Sequence, residues 1–241
     1  LFNEWFKTIS QAYPISGVEL RRIAELYGFK GKELKEVDGV KLFYAIQTYY
    51  SLILKLLAAE VAARFHDSAA SIYVRKLVRA AKDSETLHQE LEFLESGMVY
   101  TWFGIRNFLE GEFFSWYLSE WNEDIFKVVR NIIEKLNEYD VEALTLDLST
   151  ARDMFKLLYE ELVPRKEVRQ KLGMYTTPDW LAELILYELG LNVKKLIEMR
   201  RKGINPLNLR ILDPGVGTGT FLSLTIQRLA EYLKRYYNTI S

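Results

Sequence analysis

Apolar side chains recur with the period of an α-helix through about the first 160 residues, which restricts this part of the chain to helices. Ser16 and Glu19 form a capping-box pattern that predicts the start of one helix. Asp38 precedes a long amphipathic run, residues 42–57, which we predict to be the central helix. The expected fold is mainly α, with a helical N-terminal domain over residues 1–163.

Aromatic side chains are concentrated near the middle of this helical region. They could stack on nucleic-acid bases, but their helical spacing and the scarcity of basic neighbours favour core packing. These residues are Trp102, Phe103, Phe108, Phe113, Phe114, Trp116, Tyr117 and Trp121. Further helices are predicted over residues 72–82, 84–94, 113–121, 124–139 and 150–163.

The composition limits which cellular locations and which kinds of site are compatible with the chain. It contains no cysteine, so disulfides and thiolate metal ligands are excluded, and its two histidines are not in a metal-ligand spacing. No secretory signal pattern is present, and the most apolar stretch, residues 42–63, is interrupted by Gln47, Lys55 and Glu60. We therefore expect a cytoplasmic protein without a membrane span or a metal. Because the chain opens with Leu1, we also expect it to be a fragment of a longer protein.

The charge of the chain is unevenly distributed. Residues 161–241 carry 13 Lys and Arg against 8 Asp and Glu, although the whole chain has a net charge of −1. A basic C-terminal third is compatible with a segment that faces nucleic acid. Within it, Arg165, Lys166, Arg169 and Lys171 are candidates for contacts with DNA phosphates, and a solvated helix face explains the same residues equally well.

The pattern changes after the last predicted helix of the first domain, and a second domain is expected over residues 164–241. Its later part contains a charged connection, residues 194–202, and then a short apolar strand, residues 209–212. A glycine-rich turn, residues 213–219, leads into a last amphipathic helix, residues 220–236. A strand, a glycine-rich turn and a helix form the first unit of a doubly wound sheet, so we expect the start of a Rossmann-like α/β domain.

The turn itself excludes two common ligands. A dinucleotide fingerprint requires a glycine at position 220, which is Thr220, and a P-loop requires a Lys after Gly219. S-adenosylmethionine instead presents an ammonium and a carboxylate. Asp213 can accept a hydrogen bond from the ammonium, the glycines let the backbone approach, and N–H groups at the helix start can face the carboxylate. We interpret the turn as an S-adenosylmethionine site, with a plain strand-to-helix turn as the alternative.

Two motifs carry a resemblance to a known family. Residues 213–222, DPGVGTGTFL, resemble motif I of the amino-methyltransferases, D-P-x-x-G-x-G-x-F-L. Residues 169–180, RQKLGMYTTPDW, resemble motif X of the adenine-specific DNA methyltransferases of restriction-modification systems, with Met174 and Thr176 departing from the usual pattern. The order of the two motifs is also that of the family. Residues 42–65 and 108–121 are similar to the N-terminal half of such enzymes.

The resemblance implies that the chain binds S-adenosylmethionine through both motifs. In motif X, Thr177 is predicted to be the N-cap of a helix and Pro178 its first residue. The implied cofactor-binding residues are Tyr175, Thr176, Thr177, Pro178, Asp213, Pro214, Gly215, Gly217, Gly219 and Phe221.

The family transfers the methyl group to N6 of a flipped adenine in double-stranded DNA, often beside a specificity or nuclease domain or subunit. Its catalytic [DNS]-P-P-[YFW] motif is absent from this sequence, so no catalytic residue is assigned and we expect no methyl transfer by this chain alone. Two alternatives stay open. The chain could be a non-catalytic helical module that positions DNA or another partner, or the substrate could be RNA or protein.

Overall fold

The computed structural model describes residues 1–12, 16–66, 73–106, 108, 113–139, 157 and 177–240. The chain folds as two compact units, Leu1–Ala143 and Leu144–Ser241. Helices make up the regular structure of the described residues, so the prediction of a mainly α fold is confirmed. The predicted domain boundary between residues 163 and 164 lies outside the described residues.

The first unit begins with the helices that the local sequence signals predict. Its described helices are α1 (Phe2–Ala12), α2 (Gly17–Leu26), α3 (Gly31–Glu36), α4 (Gly39–His66), α5 (Tyr73–Ala80), α6 (Ser84–Glu95), α7 (Met98–Trp102), α8 (Trp116–Ser119) and α9 (Glu123–Glu138). Ser16 and Glu19 form the complete capping box of α2. Asp38 Oδ1 accepts hydrogen bonds from the backbone N–H groups of Val40 and Lys41. The predicted helix over residues 150–163 lies, apart from Leu157, outside the described residues.

Helix α4 is the centre of the first unit. Leu52 and Leu56 are buried in a core to which α5, α6, α7 and α9 also contribute. By length and composition alone, the stretch Gly39–Ala63 is apolar enough to cross a membrane, and half of its most apolar window is buried inside the protein. Lys55 and Glu60, which interrupt this stretch, are buried and have hydrogen-bond partners on other parts of the unit. Helix α4 is therefore the core helix of a helical unit.

The helix predicted over residues 113–121 is wrong in its extent, because only Trp116–Ser119 is helical. The rings of Phe114 and Trp116 both contact the ring of Tyr44, at centroid distances of 5.8 and 6.1 Å. Residues two apart do not share a face of a helix, so both contacts require a non-helical backbone at this point. A contact with a residue far away in the sequence has overridden the local helical pattern.

The aromatic residues near the middle of the chain are only partly core residues. Tyr117 is buried, and Trp116 packs partly buried against the core. Trp102 and Phe108 are 68% and 47% exposed, so core packing is the wrong prediction for these two. Trp102 ends the short helix α7, which directs Val99 and Tyr100 into the core instead.

The described part of the second unit contains three α-helices and one short 3-10 helix. These are α10 (Asp179–Glu188), α11 (Val193–Arg201), the 3-10 helix Pro206–Asn208, and α12 (Thr220–Ile240). Helix α10 begins one residue later than predicted, since Pro178 is its N-cap and Thr177 precedes the cap. The φ of Pro178, −59°, suits a helix, but its ψ of 139° is extended, and its carbonyl accepts the first helical hydrogen bonds.

Residues 194–202, which the sequence predicts to be a connection, are almost all helical, because α11 covers Val193–Arg201 and Lys202 is its C-cap. Asn192 caps the start of α11 by accepting a hydrogen bond from Lys195 N–H at 3.1 Å. Val193 and Leu196 are buried against Tyr232 of α12. The apolar face of α11 is narrow because charged side chains occupy its other faces. The helical periodicity of apolar residues is therefore weak in the sequence.

The predicted strand over residues 209–212 begins with an extended residue, Leu209, but lacks the pairing of a strand. Leu209 has φ −60° and ψ 133°. A β-strand requires hydrogen bonds to a neighbouring strand, and no second strand lies among the residues that the structure describes. Ile211 and Leu212 are accordingly exposed, Leu212 by 86%.

Candidate cofactor-binding turn

Residues 213–219 form a compact turn that leads directly into α12, which begins at Thr220. Asp213 Oδ1 accepts a hydrogen bond from Gly215 N–H at 3.0 Å. The turn closes where Gly219 N–H donates to Val216 O at 2.7 Å. Ser223 N–H then donates to Gly219 O at 2.8 Å, which starts the hydrogen bonding of α12. The Asp213 side chain is therefore held by the turn that it begins.

Two of the three glycines have a conformation that other residues adopt at a cost. Gly217 and Gly219 have φ values of +50° and +77°, in the region that a Cβ atom disfavours. Gly215 does not have a positive φ, and a Cβ at that position would have no heavy atom within 4 Å. The turn geometry explains Gly217 and Gly219, whereas Gly215 borders open space beside Asp213.

Gly219→Ala is expected to destabilise the second unit by about 1–2 kcal/mol, because an L residue at this positive φ is strained. The added Cβ would meet only Ser223 Oγ, at 3.9 Å, so the cost comes from the backbone and not from a clash. Gly215→Ala is the matched control and should cost much less. Urea unfolding followed by circular dichroism measures both variants, and equal losses would contradict the turn geometry.

The other oxygen of the Asp213 carboxylate, Oδ2, has no hydrogen-bond donor within the described part of the chain. Asp213 Oδ2 is buried and accepts no hydrogen bond from any residue that the structure describes. A buried carboxylate oxygen without a donor is costly, so such an atom is an exception that calls for an explanation. A donor from outside the described residues, such as an ammonium, hydroxyl or amide group, would satisfy it.

The start of α12 adds a different kind of binding group. The first N–H groups of a helix have no acceptor within the helix, and the positive end of the helix dipole lies there. Thr220, the first residue of α12, is buried, and its Oγ1 lies 3.4 Å from Thr218 Oγ1. The turn thus combines a carboxylate oxygen that lacks a donor among the described residues with a helix end that favours negative charge.

The two predicted motifs are joined through their helices. Ala182 and Leu186 of α10, which follows Thr177 and Pro178, pack against Leu224 of α12. Phe221, predicted as a cofactor contact, packs partly buried against this cluster and so links the two helices. The predicted residues Tyr175, Thr176, Arg165, Lys166, Arg169 and Lys171 lie outside the described residues.

A groove on the second unit was not predicted from the sequence. It has a volume of about 480 Å³, and its lining includes Trp180 and Tyr187, which are 68% and 63% exposed. Their spacing of seven residues on one helix is the signal that indicates a shared face. Arg228 lies 3.6 Å from Glu183 and 3.4 Å from Glu231, so the charges in the groove pair with one another.

Among the described residues, no group of three or more His, Asp or Glu side chains could hold a metal ion. Comparison of the chain with protein-family models, with curated proteins and with solved structures found no match in any of the three. A functional assignment therefore rests on the residues and the geometry of the turn.

Proposed function

We propose that this chain is part of an S-adenosylmethionine-dependent DNA adenine-N6 methyltransferase of a restriction-modification system, acting in the cytoplasm. In this proposal the turn at residues 213–219 binds the methionine end of the cofactor. The observation that carries the proposal is the buried Asp213 Oδ2, at the head of a G-x-G-x-G turn, for which the described residues provide no donor.

The chemistry of the turn fits the two charged groups of the cofactor's methionine end. The ammonium can donate to Asp213 Oδ2, while Asp213 Oδ1 keeps its hydrogen bond from Gly215 N–H. Hydrogen bonds to charged groups contribute about 1.5–3 kcal/mol. The carboxylate suits the N-terminal end of α12, where free N–H groups and the helix dipole favour an anion. A pyrophosphate would instead place negative charge beside Asp213.

The exposure of apolar residues supports a Rossmann-like setting for the turn. Residues 209–212 contain Leu209, Ile211 and Leu212, so both faces of the predicted strand are apolar, which is typical of a central parallel strand. Ile211 and Leu212 are exposed among the described residues, as is Ile226 of α12 at 51%. A sheet packed at this position would bury these side chains.

In the proposed enzyme, this chain binds and orients the cofactor. S-adenosylmethionine, when bound, supplies a methyl group activated by its sulfonium. Asp213 and the start of α12 fix the methionine end, and the motif X residues 175–178 are proposed to border the same site. Alignment of the methyl group with the N6 amine of a flipped adenine in double-stranded DNA would lower the barrier chiefly through positioning.

Methyl transfer to DNA tests the proposal. The complete gene product is incubated with methyl-tritiated S-adenosylmethionine and duplex DNA, beside its Asp213→Ala variant. We expect label in N6-methyladenine, and loss of the label in the variant. Label in RNA or protein would overturn the proposed substrate. DNA binding without any methyl transfer would overturn the proposed activity and favour the alternative, a non-catalytic helical module that positions DNA.

A further inference from the structure

We infer that the exposed basic residues of α11 and its C-cap, Lys194, Arg201 and Lys202, form a contact surface for the phosphodiester backbone of duplex DNA. The choice of DNA as the partner rests on the proposed function. The surface itself is separate from the turn at residues 213–219, so each can be tested without the other.

The charge of the chain is concentrated at α11 and the segment that follows it. Residues 193–210 contain six Lys and Arg and one Glu, a net charge of +5, whereas the whole chain has a net charge of −1. All other residues together therefore carry −6. A short basic segment in an otherwise acidic chain attracts a polyanion to one place.

The helix presents basic residues to solvent beside its core contacts. Lys194 and Arg201 are seven residues apart and share a face, and both are exposed, as is Lys202. Val193 and Leu196 anchor the same helix to the core. Seven residues span about 10.5 Å of helix axis, a length over which one DNA strand presents about three phosphates.

Most of these cations are not neutralised by neighbouring side chains. Lys195 pairs with Glu198 at 3.2 Å, and the guanidinium of Arg200 lies 5.6 Å from the centre of the Tyr236 ring. Lys194, Arg201 and Lys202 form no ion pair within the described part of the chain. Three exposed charges thus remain available to an external anion.

The position of the lysines also works against the stability of α11. Lys194 and Lys195 lie in the first turn, where no acidic residue accompanies them. Cations are unfavourable at the positive N-terminal end of a helix. The basic residues at the other end, Arg200 and Arg201, suit the helix dipole. A phosphate backbone along this face would compensate the repulsion at the first turn.

The test measures binding of this chain to a fluorescent duplex DNA by anisotropy across a series of salt concentrations. The variant is Lys194→Gln with Arg201→Gln. The control is Lys7→Gln with Arg22→Gln, which makes the same charge change at exposed positions of the first unit. We expect the slope of log affinity against log salt to fall by about 1 for each α11 side chain replaced, equally on unrelated DNA sequences.

Several results would overturn this inference. These are an unchanged salt slope in the α11 variant, an equal loss in the control, or no DNA binding by the unaltered chain at low salt. Equal affinity for polyglutamate would show a general polyanion surface and would also overturn it. Cofactor binding is measured without DNA. Its absence, together with a confirmed α11 effect, would count against the proposed function and leave the DNA surface in place.

Discussion

Glu95→Ala is expected to destabilise the first unit by about 3–5 kcal/mol, because the substitution removes the carboxylate that pairs with the buried ammonium of Lys55. Lys55 Nζ lies 2.6 Å from Glu95 Oε2, and the two side chains are only 5% and 3% exposed. The hydroxyl of Tyr117 also donates to Glu95 Oε1, at 2.6 Å, and would lose this acceptor. Urea unfolding followed by far-ultraviolet circular dichroism measures the loss.

Glu90→Ala is the matched control for this prediction. Lys76 and Glu90 form an ion pair of the same length, 2.6 Å, between α5 and α6, but their side chains are 44% and 23% exposed. Exposed pairs contribute about 0–1 kcal/mol, so this variant should lose little stability. Equal losses of stability from Glu95→Ala and Glu90→Ala would contradict the prediction that burial makes the loss of Glu95 more costly.

The double variant Lys55→Met with Glu95→Gln tests the effect of removing the whole ion pair. It removes both charges and keeps an amide oxygen that can accept from Tyr117. Because a buried pair is costly to desolvate, replacing both partners costs less than removing one. We expect the double variant to be more stable than Glu95→Ala. A double variant that unfolds at lower urea than Glu95→Ala would show that the attraction between the charges outweighs their desolvation.

Asp213→Asn is expected to weaken the binding of S-adenosylmethionine by about 10- to 100-fold. The estimate follows from losing one charge-assisted hydrogen bond of about 1.5–3 kcal/mol, at 1.4 kcal/mol for each factor of ten. The Asn side chain oxygen can still accept from Gly215 N–H, so the turn should persist. Equilibrium dialysis of this chain with the tritiated cofactor measures the affinity.

Glu188→Gln controls for the loss of one negative charge from the same unit, since Glu188 is exposed on α10. It should bind the cofactor like the unaltered chain. Without cofactor, Asp213→Asn should not lower the thermal midpoint, because the carboxylate oxygen that it replaces has no donor among the described residues. Similar weakening by both substitutions would mean that net charge, and not the turn, determines affinity.

Much of the helical architecture could be predicted because its signals are local. The capping box at Ser16 and Glu19 and the cap at Asp38 are each formed within three residues of sequence. Gly190, with a φ of +81°, directly follows Leu189, the C-cap of α10, and such a glycine is a local helix-stop signal. In these cases the residues that determine the start or end of a helix are neighbours along the chain.

The errors occur where distant contacts decide the structure. Tyr44 prevents a long helix around Trp116 by contacting two nearby rings at once. Helix α11 forms because Leu196 packs on Tyr232, far along the chain. Lys55, which the sequence suggests is an interruption of an apolar run, pairs with a residue 40 positions away. Helical periodicity and capping signals depend on residues close in sequence, so they do not predict contacts between residues far apart.

The sequence likewise predicts some features of the candidate turn and not others. The glycine pattern and the acidic residue at its head are visible in the sequence, and they predict the ligand class. The separate roles of the two Asp213 oxygens, one bonded to Gly215 N–H and one buried without a donor in the described part of the chain, are visible only in three dimensions. The open space beside Gly215 is likewise a property of the fold.

Ultraviolet cross-linking of methyl-tritiated S-adenosylmethionine to this chain, followed by trypsin digestion, tests whether the turn at residues 213–219 binds the cofactor. Cleavage after Arg210 and Arg228 releases a peptide, residues 211–228, that contains the whole turn. We expect label in this peptide. Excess S-adenosylhomocysteine should remove the label, NAD should leave it unchanged, and Asp213→Asn should strongly reduce it. Label confined to peptides of the first unit, or label that S-adenosylhomocysteine does not displace, would contradict this expectation.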